Sequence, residues 1–161
     1  MARHEALGKI VTLLDDERCP YTLFEHEPYG STDESAEITG VPLEQAAKSL
    51  LYATMGGYVL AVLPAADRVS SGKLQRATQS RDVRMVSPDI VEQVMGCVVG
   101  TCHPIGRVAD IRTIVDPKLA EREVVSFSAG SLNHTITMRY ADYERIALPE
   151  VVDICVATSP A

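Results

Sequence analysis

Tryptophan is absent from this 161-residue chain and phenylalanine occurs only twice. Aromatics make up 5% of a chain that is 46% hydrophobic, so its core has to be built from Val, Leu, Ile and Ala. Basic residues are also scarce: 15 Lys and Arg stand against 22 Asp and Glu, for a formal net charge of −7. Phosphate affinity comes largely from cations, which excludes a surface that wraps nucleic acid broadly. No apolar run approaches the length of a membrane span, and the start lacks the charged-then-apolar order of a signal peptide. A soluble, cytoplasmic protein with no membrane partner is expected. Cys19, Cys97, Cys102 and Cys155 form no C-x-x-C pair, which favours free thiols over disulfides or zinc. Neither a metal nor another cofactor is expected.

The charge that is present is uneven. Residues 1–50 hold four basic and ten acidic side chains, whereas 66–86 hold Arg68, Lys73, Arg76, Arg81 and Arg84 against Asp67 and Asp82. That stretch is either a local patch for the end of a polynucleotide or the solvated face of a helix.

The most informative run is Gly96-Cys97-Val98-Val99-Gly100-Thr101-Cys102-His103-Pro104-Ile105-Gly106. Three glycines and a proline rule out a regular helix or central strand there. Such a loop can turn successive backbone N–H groups toward one point, which suits a carbonyl or anionic oxygen. It can also be a tight connection with buried small residues. Cys102 beside His103 raises the possibility of a thiol nucleophile and its base, but neighbours on extended backbone point to opposite sides. A second element, Ala46-Ala47-Lys48-Ser49-Leu50-Leu51, sets one lysine in an apolar segment. Its ammonium either snorkels to water at a sheet edge or is aimed into a cleft.

Periodicity supplies the frame. Leu7, Ile10, Val11 and Leu14 share a helical face that closes near Asp15-Asp16, and residues 21–26 alternate as a strand. Ser31-Thr32-Asp33-Glu34 has the capping-box pattern of a short helix stopping at Gly40. Met55-Gly56-Gly57 joins two strands as an antiparallel hairpin. Ser70-Ser71 caps a helix carrying Lys73 and Arg76, 83–86 is a short strand, and Ser87-Pro88 opens a helix ending at Gly96. Strands near 112–115, 124–128 and 135–138 precede a last helix near Ala141. The fold class is α/β of the α+β kind. One domain over 1–161 is expected, with a mixed, mostly antiparallel curved sheet or partial barrel flanked by helices.

The order of Ala-Ala-Lys-Ser-Leu-Leu, then residues 58–65, then Gly72-Lys73-Leu74 resembles the YbaK/prolyl-tRNA-synthetase-associated domain family. So do the run Gly100-Thr101-Cys102-His103-Pro104, which looks like that family's Gly-x-x-x-Pro loop, and the ending Phe127-Ser128-Ala129-Gly130. The resemblance spans about residues 20–148. It implies a YbaK-like fold and a trans-editing deacylase that hydrolyses the ester of mischarged aminoacyl-tRNA. The implied partners are the tRNA acceptor end, tRNA(Pro) in the first instance, and an aminoacyl-tRNA synthetase.

By that resemblance Lys48 holds the phosphate or 2′-oxygen of the terminal adenosine, and the backbone of Gly100, Thr101, Cys102, His103 and Pro104 receives the carbonyl oxygen. Glycine at 100 would keep the approach open. Water attack needs no protein nucleophile when the substrate's own hydroxyl assists. Ser49, Ser128 and Gly130 fall at positions lining the aminoacyl pocket. Tyr21 and Phe24 are candidates to stack on adenine, although burial explains them equally. His26, His103 and Asn133 are the polar candidates for the substrate's amino group or a water. The bulk of Thr101-Cys102-His103 points to a narrow pocket for a small residue such as alanine or cysteine. A binding-only module for tRNA or a synthetase, and a small-molecule esterase or thioesterase using Cys102, are the other readings.

Overall fold

In a computed structural model the described residues are 5–28, 37–97 and 100–157, apart from the side chain of Leu43. Helix α1 (Glu5–Asp16) leads into β1 (Thr22–Glu25). The capping-box residues 31–34 lie outside the described residues. Residues 37–39 are helical, and Gly40 follows at φ +73°, a conformation in which glycine needs no Cβ to be accommodated. The hairpin of β2 (Ala47–Thr54) and β3 (Gly57–Pro64) comes next. Its strands are in register from Ala47–Pro64 to Thr54–Gly57.

Helix α2 (Ser71–Thr78) starts where the serine pair expects, with Ser70 Oγ accepting from the Lys73 amide. Strand β4 (Arg84–Met85) and helix α3 (Pro88–Met95) follow, and α3 ends on Gly96 at φ +68°. After the glycine loop come β5 (Arg112–Val115), a short α4 (Pro117–Ala120), β6 (Val124–Ser128) and β7 (His134–Arg139). Helix α5 (Tyr140–Ala147) and β8 (Glu150–Val151) complete the order.

Two sheets result. One has the order β1-β7-β6 and is antiparallel throughout, and the other is β4-β2-β3-β5-β8, mixed because β5 and β8 pair in parallel. An isolated parallel bridge, Ala46–Ser126, ties the start of β2 to β6 and so links the two sheets. The fold is α+β, as expected, without a closed barrel among the described residues.

Side-chain alternation divides the sheets into two faces. Leu51, Leu60, Val62, Val115, Val125, Phe127, Ile136 and Met138 join α1, α5 and Ile105 in the main core. On the opposite face of the five-stranded sheet, Tyr52, Val59, Ala61 and Ile114 pack with Leu74 of α2 and with Ile154. The opposite face of the three-stranded sheet is different. It carries Thr22 and Phe24 of β1, Ser126 and Ser128 of β6, and Thr135 and Thr137 of β7.

Candidate active site

Residues paired across a bridge face the same way, so the Ala46–Ser126 bridge decides which side Lys48 is on. Odd-numbered residues of β2 lie on the core face with Leu51, so Lys48 projects from the outer side of the strand, where Ser126 stands at the bridge and Leu50 and Tyr52 join the second apolar cluster further along. The bridge is parallel, so Lys48 and Ser128 each lie two residues beyond it in the same chain direction. A second link, the Val124 amide donating to Gln45 Oε1 at 3.3 Å, holds the two chains together just before the bridge. Lys48 is half-buried, and among the described residues it has no ion pair or hydrogen bond.

The glycine loop arrives at the same end of β6. The Gly130 amide, two residues beyond Ser128, donates to the Thr101 carbonyl at 3.2 Å. Gly130 sits at φ +84°, and a Cβ there would lie 2.8 Å from Ala6 Cβ of α1. This glycine is therefore a packing and turn residue that pins the loop to the sheet. Gly100 is exposed at φ +83°, and a Cβ on it would meet nothing within 4 Å. Its requirement comes from backbone conformation, where clearance for an approaching group had been expected.

Most of the loop's side chains point inward. Thr101, His103 and Pro104 are buried, and His103 is fully so. His103 Nδ1 accepts the Ile105 amide at 3.1 Å, and the buried Tyr143 hydroxyl donates to the Pro104 carbonyl at 2.7 Å. These bonds fix the backbone from below. Among the described residues the amides of Gly100, Cys102 and His103 have no acceptor, so the loop keeps unspent backbone donors of the kind that bind an oxyanion.

The thiols give no sign of a nucleophile facing substrate. Hydrogen bonding from Cys102, outweighing burial and helped by His103, holds the buried Cys97 thiol below its ordinary range. The same Cys97 contact, together with burial, pushes Cys102 well above the ordinary thiol range. A neutral Cys102 is a poor nucleophile.

The remaining sequence candidates separate into those on the polar face and those drawn away from it. Phe24 and Ser128 share the outer face of the three-stranded sheet, each in register with Thr135, and each is half-buried. His26 joins them through its Nε2, 2.9 Å from Thr135 Oγ1. Ser49 lies on the core face, because adjacent strand residues alternate; its hydroxyl is buried with no partner among the described residues. Tyr21 gives its hydroxyl to Asp15 at the end of α1, 3.1 Å away. Asn133 is engaged in holding the β6–β7 turn to the chain after β1: its Nδ2 donates to the His26 carbonyl at 2.9 Å and its carbonyl accepts the His26 amide at 2.9 Å. Of the basic stretch 66–86, Lys73 is bound to Asp153 and the Cys155 carbonyl, and Arg84 to Asp82. Thr135 and Ser126 were not singled out by sequence. Their signal was available in the polar-apolar alternation of 124–128 and 134–139.

Comparison with known proteins identifies the family. The pattern of the aminoacyl-tRNA editing domain matches residues 26–146. The chain belongs to the aminoacyl-tRNA editing domain family. It is 31% identical over 150 residues, 90% of either chain, to the multifunctional Ser/Thr-tRNA deacylase ProXp-y of Escherichia coli K12. It is 23% identical over 148 residues, 88% of this chain and 90% of the relative, to the prolyl-tRNA editing protein ProX of Acetoanaerobium sticklandii. A solved structure described as a candidate trans-editing enzyme for prolyl tRNA synthetase superposes with a TM-score of 0.82 at 18% identity, covering 95% of this chain and 98% of that one. No described helix is long and apolar enough to cross a membrane.

Proposed function

We propose that this editing-family chain hydrolyses the ester of mischarged aminoacyl-tRNA carrying a small residue, with the ester held between Lys48 and the loop 100–104. The observation that carries the reading is the convergence on one end of β6: Lys48 by the parallel bridge, and the loop by the Gly130–Thr101 hydrogen bond. An ammonium with no partner among the described residues suits the phosphate or ribose of a terminal adenosine. Amides of Gly100, Cys102 and His103 that have no acceptor among the described residues suit the oxyanion that forms when water attacks the carbonyl. The half-buried Phe24 offers an apolar surface on the same face.

For the acyl group, the expectation of alanine or cysteine rested on the bulk of the loop. With Thr101 and His103 turned inward and Cys102 packed against the core beside Cys97, the loop's side chains do not narrow the pocket as expected, and the hydroxyls of β6 and β7 line the neighbouring face. The Escherichia coli relative, named for seryl and threonyl substrates, supports adding serine and threonine to the set. The tRNA(Pro) acceptor end is the first partner to test, in line with the names of the prolyl editing relatives.

The test is a deacylation series on tRNA(Pro) charged with alanine, cysteine, serine or threonine, using wild type and Lys48→Ala. Wild type should release the amino acid from at least one of the four. Lys48→Ala should lose roughly 2–4 kcal/mol of transition-state stabilisation, about 30- to 1,000-fold in kcat/KM. Binding of the charged tRNA with no release by wild type would assign the chain to a binding-only module.

A further inference from the structure

Two thiols at the glycine loop are in contact, and ester hydrolysis leaves both idle. Cys97 belongs to the main core, and the half-buried Cys102 packs against it and hydrogen-bonds to its sulfur. Their contacts with carbonyls, Met95 for Cys97 at 3.7 Å and His103 for Cys102 at 3.8 Å, are long and hold neither sulfur firmly. His103 is the third member of the cluster. Its Nδ1 accepts the Ile105 amide, so Nε2 carries the ring proton. That N–H is buried with no oxygen or nitrogen partner among the described residues, and the Cys97 sulfur is the acceptor beside it. Two donors therefore converge on one sulfur and favour its thiolate, the form that attacks oxidants.

The pair is also coupled to the loop backbone. Cys97 is 1% exposed and is packed under the end of β6, where a Cβ on Gly130 would lie 3.8 Å from its Sγ. The Gly130 amide holds the Thr101 carbonyl, and the next residue is Cys102, whose own amide has no acceptor among the described residues. A disulfide brings its sulfurs to about 2.05 Å, well inside a hydrogen-bonded separation. With Cys97 enclosed by the core, closing that distance draws Cys102 and its amide inward.

We propose that Cys97 and Cys102 form a reversible disulfide that switches hydrolysis off by drawing the Cys102 amide away from the ester carbonyl. This rests on the reading that the loop 100–104 receives that carbonyl. The oxidant is a peroxide. The Cys97 sulfur takes one peroxide oxygen as the O–O bond breaks, giving a sulfenic acid, and the departing hydroxide leaves as water with the proton that Cys97 gave up. The Cys102 sulfur then attacks the Cys97 sulfur, the S–O bond breaks, and a second hydroxide leaves as water with the Cys102 proton. Two thiols lose two electrons, and one peroxide is reduced to two waters. Once Cys97 carries oxygen it no longer bears the charge that holds the proton on Cys102, which frees the second sulfur to react. A dithiol reductant reverses the bond by exchange.

The experiment takes the full chain, reduces it with dithiothreitol, treats it with hydrogen peroxide and removes the peroxide before assay. Peptide mass mapping without reductant should find Cys97 joined to Cys102. On whichever of the four charged tRNAs wild type cleaves best, kcat/KM should fall about tenfold or more, the effect of displacing a catalytic group by roughly 1 Å. Dithiothreitol should restore it. Cys97→Ala removes one sulfur and leaves residues 100–104 unchanged, so it should cleave at close to the reduced wild-type rate and show no loss that dithiothreitol reverses. If thermal melts show that this variant folds poorly, the mapping and the dithiothreitol rescue of wild type carry the test. A peroxide-treated chain with no Cys97–Cys102 bond, or a bonded chain that cleaves as fast as the reduced one, overturns this inference and leaves the deacylase reading standing. No cleavage by reduced wild type overturns both.

Discussion

The five-stranded and three-stranded sheets share one core but treat their other faces in opposite ways. In the first, Tyr52, Val59, Ala61 and Ile114 are apolar and are covered by α2 and by Ile154 of the C-terminal segment. In the second, the equivalent positions are Ser126, Ser128, Thr135 and Thr137. Burying hydroxyls where valines would serve costs stability unless every one is bonded. On the proposed reading, that hydroxyl-lined face serves a ligand, next to a lysine and loop amides that have no partner among the described residues. Stability and chemistry would then draw on different patches of the two sheets, so that each could be perturbed with little effect on the other.

The largest effect should come from the apolar second face. Ile114 is fully buried there, and Ile114→Ala leaves a cavity between β5, α2 and Ile154. The expected loss is roughly 2–5 kcal/mol of unfolding free energy in urea titration. Deacylation measured well below the melting temperature should stay near the wild-type rate, because Ile114 pairs with Ala61 and packs beneath α2, whereas Lys48 stands further along the sheet, paired with Leu63. A proportionate fall in both would break the division between the sheets.

Next comes the clasp that keeps that face covered. Asp116, buried at the end of β5, accepts the Lys118 amide through Oδ1 at 2.9 Å. Its Oδ2 accepts the amides of Ile154 and Cys155 at 2.9 and 3.1 Å. Burial alone would raise its pKa, but the hydrogen bonds from Ile154, Lys118 and Cys155 outweigh it and hold the carboxyl below its ordinary value of 3.8. A carboxyl depressed in the folded state contributes stability above its unfolded pKa, and that contribution is lost as pH falls through the folded one. Unfolding free energy should therefore drop below about pH 4 more steeply in wild type than in Asp116→Asn. At pH 7 the Asn variant should be less stable by about 1–3 kcal/mol, since buried donors lose a charged acceptor. Equal acid sensitivity in the two proteins would show that the Asp116 carboxylate adds nothing to a hold already supplied by Lys73 and the apolar contacts.

How much of this could be read from the chain depended on the range of the interaction. Local signals worked: the Ser70 cap, the Gly96 stop, the hairpin around Met55-Gly56-Gly57 and the strands near 112 and 124 appear within a residue or two of where periodicity places them. The editing family was legible too, from the order of short motifs. What the sequence could not supply was facing. Lys48 and Ser49 look like neighbours in one site, and a single bridge between Ala46 and Ser126 sends them to opposite sides of the sheet. The loop's residues likewise read as a row of functional side chains, yet Tyr143, 39 positions from Pro104, fixes the backbone beneath it. Parallel pairing of β5 with β3 joins segments about fifty residues apart, and no local pattern encodes it.

The smallest predicted effect is the most direct check on the contrast between the sheets. Thr137 is half-buried on the polar face, opposite Ser126 on one side and Thr22 on the other. Thr137→Val keeps the β-branched shape that suits a strand and removes one hydroxyl. If this face is kept polar for a ligand and not for folding, the substitution should change unfolding free energy by no more than about 0.5 kcal/mol, in either direction. A loss several times larger would mean that the hydroxyls of β6 and β7 form a network on which the sheet itself depends. The polar face would then be part of the scaffold, and the split between a face for stability and a face for chemistry would hold only for the five-stranded sheet.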